Sequence, residues 1–373
     1  MRFLHTSDRH LGRSLHRADL RDAQAAFLDH LVGTVRAEKV DAVLVAGDVY
    51  DRAVPPVDAV ALCEDALVRL REAGARVILI SGNHDSARRL GFSSTLIDAA
   101  GVHLRTRSAA LAEPVMLEDS RGPVAVYGIP YLEPVAEGGK SHAAVLGDAA
   151  ACIRADAASR GVARTVVMAH GWVAGGEGSD SERDISVGGV GQVPVSLLDG
   201  FSYVALGHLH GQQALTEHMR YSGSPLPYSF SEASHKKGSW LVELGDGGKT
   251  RVERVPAPAY RRLTVLRASI DDLITSPGYA GYEEDFLSVT LTDTARPERA
   301  MDRLRARFPH ILTLEFSPEG VTDDGRSYRK RVKGRGDLDV ASEFVRHVRK
   351  TPLTRPERDL LTAAFEAVRE GGC

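Results

Sequence analysis

The sequence is poor in cysteine, in lysine and in long apolar runs, and each shortage excludes something. Three cysteines in 373 residues (Cys63, Cys152 and Cys373) are too scattered for a disulfide framework, and no CxxC pair offers a thiolate zinc site. No apolar stretch approaches the roughly 20 residues that a bilayer-spanning helix needs, so no membrane partner is expected. The opening run MRFLHTSD turns polar too early for a secretory leader, and a reducing, cytoplasmic setting is the expectation. A net charge of -3 excludes a uniformly basic nucleic-acid binder. Only 8 of the 47 cations are lysine; the other 39 are arginine, the better fork for phosphate, although base composition alone gives the same bias. Hydrophobic residues at 43% fit an ordinary globular chain. The length predicts two domains, or one large domain with attachments.

Short apolar runs alternate with helical patterns through the first two-thirds. Arg2–Thr6, Ala42–Ala46, Arg76–Ile80, Val124–Tyr127, Thr165–Ala169 and Ser202–Leu206 read as buried strands. Leu20, Phe27, Leu28, Leu31 and Val35 share one face of a helix over 18–38, and Val60, Leu62, Leu67 and Leu70 mark another over 57–73. Such alternation predicts an α/β layered domain with functional loops at the carboxyl ends of its strands. The texture changes near residue 262. Strands at Leu263–Ser269, Phe286–Thr292 and Ile311–Phe316, with a helix over Pro297–Phe308, predict a small α+β unit. The run Arg326–Arg335 then carries six basic residues and no acid, and helical patterns near Leu338–Lys350 and Arg358–Arg369 close the chain.

The polar residues directly after the strands carry the chemistry. They are Asp8-x-His10, Gly47-Asp48-x-x-Asp51, Gly82-Asn83-His84-Asp85, His170-Gly171 and Gly207-His208-x-His210. Five strand ends thus bring carboxylate, amide and imidazole groups to one edge of the sheet, with glycines that let the backbone turn beside them. Each piece alone has a plainer explanation. An Asp after a strand caps a helix, as Asp85 is expected to do for a helix starting near Ser86. A loop histidine is usually just solvated. The recurrence of all five in register with strands outweighs those readings.

Mixed Asp, Asn and His donors without thiolate suit two hard-to-borderline divalent ions, Mn²⁺, Fe²⁺ or Mg²⁺, better than structural zinc. A carboxylate between two such ions can bridge them at ~3.5–4 Å, the separation used in two-metal phosphoester hydrolysis. Asp48 is the natural bridge. His84 can instead face the substrate and donate a proton to the leaving alkoxide.

The ordered set D-x-H, GD-x-x-D, GNHD, H and GH-x-H resembles the calcineurin-like metallophosphoesterases, whose fold is a layered β-sandwich flanked by helices. More narrowly, TSDRHLGRSLHR, AGDVYDRAVPP, SGNHDS, LGHLHG and RYSGSPLPYSFSE are similar to the SbcD-like nucleases, relatives of the double-strand-break repair nuclease. The resemblance implies one Mn²⁺ on Asp8, His10, Asp48 and His210, and a second on Asp48, Asn83, His170 and His208. It implies His84 as the catalytic histidine, with Asp51 in a supporting catalytic or outer role. It further implies a nuclease domain over 1–262 and a DNA-capping domain over 263–325. Over 326–373 it implies a basic linker and a helix-loop-helix that grips an SbcC-type coiled-coil ATPase. Homodimerisation within a heterotetramer is implied through helices at 57–73 and 86–100. The expected substrate is DNA, cut 3′→5′ from duplex ends and internally in hairpins or single strands.

Two positions depart from the family pattern. Arg9 stands where a Trp is usual between the first two ligands, and Asp51 stands where some relatives carry a second histidine. Arg9, Arg13, Arg52, Arg88 and Arg89 flank the motifs and are the candidate contacts to DNA phosphates. On the last helix Leu360, Leu361, Ala364, Phe365 and Val368 share a face, which suits packing on its own domain or docking on a partner. A phosphomonoesterase or protein phosphatase of the same superfamily is the competing enzyme, and a DNA-end scaffold with a decayed site is the competing non-enzyme.

Overall fold

Runs such as AVLVA, and VILI after Arg76, are apolar at every position, so they need cover on both faces, as in the interior of a parallel sheet. A computed structural model, which describes residues 1–134, 136–185, 191–318, 336–349 and 351–370, places them there. The strands of the main body are β1 (Arg2–Thr6), β2 (Ala42–Ala46), β3 (Arg76–Ile80), β4 (Val102–Arg105), β5 (Val115–Asp119) and β6 (Gly122–Ile129). They continue as β7 (Thr165–His170), β8 (Tyr203–Gly207), β9 (Gln213–Ala214), β10 (Met219–Tyr221), β11 (Gly238–Leu244) and β12 (Thr250–Pro256). Two six-stranded sheets result, ordered β12-β11-β1-β2-β3-β4 and β9-β10-β8-β7-β6-β5. Strands β1 to β4 are parallel, as are β6, β7, β8 and β10; antiparallel strands complete the edges.

The sheets stack face to face. Phe3, Leu44, Ile78 and Ile80 from one meet Val126, Val166, Met168 and Tyr203 from the other. Helices Arg21–Glu38 and Val57–Glu72 cover the outer face of the first sheet, with Phe27, Leu31 and Leu70 against Val43 and Leu79. Helix His142–Arg160 covers the second, with Leu146, Ala150 and Ile153 against Tyr127 and Val167. The layers run helix, sheet, sheet, helix.

The six strands and two helices expected in this body are present with ends shifted by at most three residues. The expected helix at 86–100 is instead two short ones, Ala87–Leu90 and Ser94–Asp98, broken where Ser93 takes a left-handed φ of 60°. Helix His142–Arg160 and strands β4, β5, β9, β10, β11 and β12 were not anticipated from the sequence.

Strands β13 (Leu263–Ala268), β14 (Phe286–Leu291) and β15 (Ile311–Phe316) form a separate parallel sheet. Leu273, Leu287, Val289, Leu304 and Phe308 give it a core of its own. A mixed core joins it to the sandwich, where Leu263 and Phe286 meet Leu15, Leu20, Leu226 and Tyr228. Met1–Ser317 is one compact unit, and Pro318–Cys373 is another. In the second unit, helices Asp337–Arg349 and Arg355–Glu370 are tied by an ion pair of 2.7 Å between Arg349 and Glu357. The basic run Arg326–Arg335 lies outside the described residues, as does the end of the 263–325 stretch. Among the described residues, no helix is long and apolar enough to cross a membrane.

Candidate metal centre

The expected single sheet edge is in fact a seam between two sheets. Strands β1, β2 and β3 approach from one, and β7 and β8 from the other. They come so close that a Cβ on Gly207 would lie 1.9 Å from the Ala46 carbonyl oxygen. One on Gly47, at φ +91°, would lie 2.3 Å from His170 Nδ1. Only glycine permits that approach.

Backbone strain gathers at the same seam. Nine non-glycine residues have positive φ among the described residues, and four are Asp8, His10, Asp48 and His208. Such conformations persist where surrounding bonds over-determine them. Here Asp8 N–H donates to the Gly47 carbonyl (3.1 Å), and His10 N–H donates to the Asp48 carbonyl (3.0 Å). His208 N–H donates to the Asp8 carboxylate at 3.0 and 3.1 Å.

The side chains then converge acceptor upon acceptor. His170 Nδ1 lies 2.9 Å from the Ala46 carbonyl and must donate to it, which leaves Nε2 with its lone pair. That Nε2 faces Asn83 Oδ1 at 2.9 Å and an Asp48 oxygen at 3.6 Å. His208 Nδ1 is 3.2 Å from the same Asn83 oxygen. His10 Nε2 sits 3.1 Å from His210 Nε2 and 3.6 Å from Asp48 Oδ2. Ligand atoms of Asp8, His10 and His210 lie within 4.8 Å of one another, as do those of Asp8, Asp48 and His170. His10, Asp48 and His84 form a third such set. Lone pairs that face other lone pairs suit divalent cations, so the residues fit a two-ion centre. Asp8 and Asp48 both lie where two clusters meet.

The electrostatics agree. Burial raises the Asp8 carboxyl to about 6 and, with the Asp85 carboxylate beside it, lifts Asp48 well above the usual carboxylate range. Burial, reinforced by neighbouring imidazoles, holds His10 and His208 well below the ordinary histidine value; burial also lowers His170. Neutral imidazoles are the form that binds a metal, and cations would restore the carboxylates to their anionic form.

His84 is half-buried, and its ring meets that of His10 edge-on at 4.7 Å. Its Nδ1 is 2.8 Å from Asp51 O, so the main chain and not the Asp51 carboxylate orients it. The carboxylate instead stands 3.6 Å from His10 Nδ1, 3.7 Å from Arg13 Nε and 3.6 Å from Arg52 Nε. Asp85 does not cap the next helix, because Ser86 does. It turns back to accept from the backbone N–H groups of Val49, Tyr50 and Gly82, at 3.1, 3.0 and 2.9 Å, and so clamps the second and third loops together.

The candidate DNA arginines divide. Arg9 is only 2% exposed, which corrects the expectation of a phosphate contact. Arg13 is turned inward, donating to the Ser181 carbonyl at 3.0 Å and stacking 4.9 Å from the Tyr228 ring centroid. Arg52, Arg88 and Arg89 are exposed. Arg183, which no motif marked, is also exposed and reaches the Asn83 carbonyl at 3.5 Å.

Behind His210 lies a group that sequence reasoning missed, comprising Ser181, Glu182, Glu232 and Lys237. Glu182 Oε1 accepts from His210 N–H at 2.7 Å. Glu232 Oε1 is 3.2 Å from His210 Nδ1, and Lys237 Nζ donates to Glu232 Oε2. Burial works against ionisation of Glu232, yet His210 and Lys237 outweigh it and hold the carboxyl well below its usual range. The signal available was weak: a lone Glu ending the run SPLPYSFSE.

Residues 1–212 match the family model for the calcineurin-like phosphoesterases. Residues 259–349 match the SbcD C-terminal model, described as the type 5 capsule protein repressor C-terminal domain. Together they match the SbcD architecture. Among solved structures, a dimetal phosphatase from Danio rerio is similar at 15% identity with a TM-score of 0.40, over 68% of this chain and 99% of that one.

Proposed function

The chain belongs to the calcineurin-like phosphoesterase family, and from that premise we propose that it is the DNA nuclease subunit of an SbcCD-like complex. One observation carries the nucleic-acid reading: a phosphoesterase cluster and an SbcD-type C-terminal domain occur in one chain.

In this proposal Asp8, His10, Asp48 and His210 hold one divalent ion, and Asp48, Asn83, His170 and His208 hold the other. Two such ions, Mn²⁺ by preference with Mg²⁺ or Fe²⁺ as alternatives, supply an activated water and charge for the phosphoryl oxygens. The protein's own part is alignment and proton delivery. His84, its Nδ1–H fixed on the Asp51 carbonyl, has Nε2 free to meet the scissile group and protonate the leaving alkoxide. Burial disfavours that proton, and an adjacent phosphodiester anion favours it again. Exposed Arg52, Arg88, Arg89 and Arg183 are suited to backbone phosphates.

The 263–325 stretch acts as the DNA cap, the helical tail docks an SbcC-type ATPase, and a homodimer forms through the segments 57–73 and 86–100. Val57 at 82% exposed, Phe92 at 81% and Leu96 at 78% support an apolar contact there. The test is digestion of end-labelled duplex and hairpin DNA in Mn²⁺, with and without the partner ATPase and ATP. Shortening from 3′ ends and opening of the hairpin are expected. Phosphate release from a phosphopeptide with the DNA left intact would overturn the nuclease reading.

A further inference from the structure

One buried carboxylate beside the centre has no part in the proposed hydrolysis. Glu232 sits at the end of the short turn Phe230–Glu232, and its side chain is 0% exposed. Its Oε1 accepts from Ser181 Oγ, lies 3.1 Å from Ser179 Oγ and 3.2 Å from His210 Nδ1. Its Oε2 accepts from Lys237 Nζ and, at 3.3 Å, from Tyr228 N–H. Lys237 also donates to the His210 carbonyl and to Ser224 Oγ, both at 2.9 Å. A carboxylate taken wholly out of water is retained only where paired and fully hydrogen-bonded, and this one is both.

The geometry constrains the imidazole. A neutral ring has one N–H and one lone pair. Nδ1 faces the Ser181 hydroxyl oxygen at 2.5 Å and Glu232 Oε1 at 3.2 Å; with that hydroxyl donating to the carboxylate, both are acceptors toward the ring, so the proton belongs on Nδ1 and the lone pair on Nε2. Nε2 is the atom that faces His10 Nε2 at 3.1 Å, within the Asp8–His10–His210 set. A carboxylate behind a ligating imidazole fixes its tautomer and raises its basicity.

We propose that Glu232, neutralised by Lys237, is a positioning residue that holds His210 in its Nδ1–H tautomer and thereby sets the affinity of one of the two metal ions. The proposal rests on the two-ion reading above. It concerns one ion only, since Glu232 lies behind His210, whereas the His170 Nδ1–H is held by the Ala46 carbonyl.

The experiment is Mn²⁺ titration of the full chain by calorimetry, with electron paramagnetic resonance of the loaded protein. Histidine ¹⁵N correlation spectra of the metal-free form read the tautomer without any metal. Glu232→Gln keeps an acceptor but loses the charge, whereas Glu232→Leu with Lys237→Met loses both and leaves no orphaned cation. One of the two ions is expected to weaken about tenfold in the first variant and about a hundredfold in the second. The other ion should keep its affinity, and the spin-coupled pair signal should give way to that of a single Mn²⁺. The Nδ1–H signature of His210 is expected in the wild type and lost in the double variant. A double variant with unchanged melting, two undiminished ions and an unaltered tautomer would overturn the proposal alone. Fewer than two ions in the wild type would overturn the two-ion reading, and the proposal with it.

Discussion

His84 and Asp85 are neighbours in the sequence with opposite employment. His84 holds no backbone together: its ring rests on the Asp51 carbonyl and on the edge of His10. His84→Ala should therefore leave two ions bound and the fold intact, yet lower DNA cleavage by at least ~100-fold, the usual share of a general acid. Metal stoichiometry and digestion measured on one preparation check this, and full cleavage in Mn²⁺ would remove the assigned role. Asp85 accepts from three backbone N–H groups, and its work is to hold two loops together. The candidate ligands were legible because each follows a strand directly, where spacing fixes position. The work of Asp85, Asp51 and Glu232 was not, because each acts through the main chain or across a long sequence separation.

At the scale of elements, the centre depends on how closely two sheets meet. Gly207→Ala would drive a methyl into the Ala46 carbonyl, a backbone atom that has no rotamer to change. We expect a loss of at least ~3 kcal/mol, at the upper end of overpacking costs, with both ions weakened. Thermal melting and metal titration read the two effects. Another junction lies at the opposite end of the second sheet's strands, where Arg164, buried before β7, meets Asp119 at the end of β5 through bonds of 2.7 and 2.8 Å. Those bonds from Arg164, opposed by burial and joined by a bond of 2.7 Å from the Met1 amino terminus, hold the Asp119 carboxyl well below the usual carboxylate range. Its contribution is thus complete above the unfolded value of ~4 and is lost as pH falls through the folded one. Asp119→Asn should cost about 2 kcal/mol at pH 7, within the range for hydrogen bonds to charged groups. The gap from wild type should begin to close below pH ~4, as denaturant melts across pH can show. Sequence periodicity found the central parallel strands, which are apolar throughout. It missed helix His142–Arg160, whose alanines fall on both faces, Ala149, Ala150 and Ala157 buried and Ala144, Ala151, Ala155 and Ala158 exposed, and β12, a half-exposed edge strand that mixes valines with charges.

For the whole molecule, bulk charge proved a poor guide. The net -3 counts Asp8 and Asp48 as bare anions, whereas two divalent ions would add four positive charges at one seam and none elsewhere. The division of the chain was partly legible: the change of texture near residue 262 marks the start of the third sheet. The break between compact units, however, falls after Ser317 and not at 262. The reason is the mixed core, where Leu263 and Phe286 pack on Leu15, Leu20 and Leu226 of the sandwich and tie the small sheet to it. Among the described residues, the core clusters of the two stacked sheets and their helices are made from residues before 317. A chain ending after Pro318 should therefore fold with melting close to that of the full protein, bind two ions and cut single-stranded DNA in Mn²⁺. It should no longer associate with the partner ATPase, because helices Asp337–Arg349 and Arg355–Glu370 go with the deleted part. Co-purification and single-strand digestion of the truncated chain measure the two properties separately. An ATPase complex that survives the deletion would move the docking surface onto the first 318 residues, and a loss of cleavage would mean that the tail supports the centre itself.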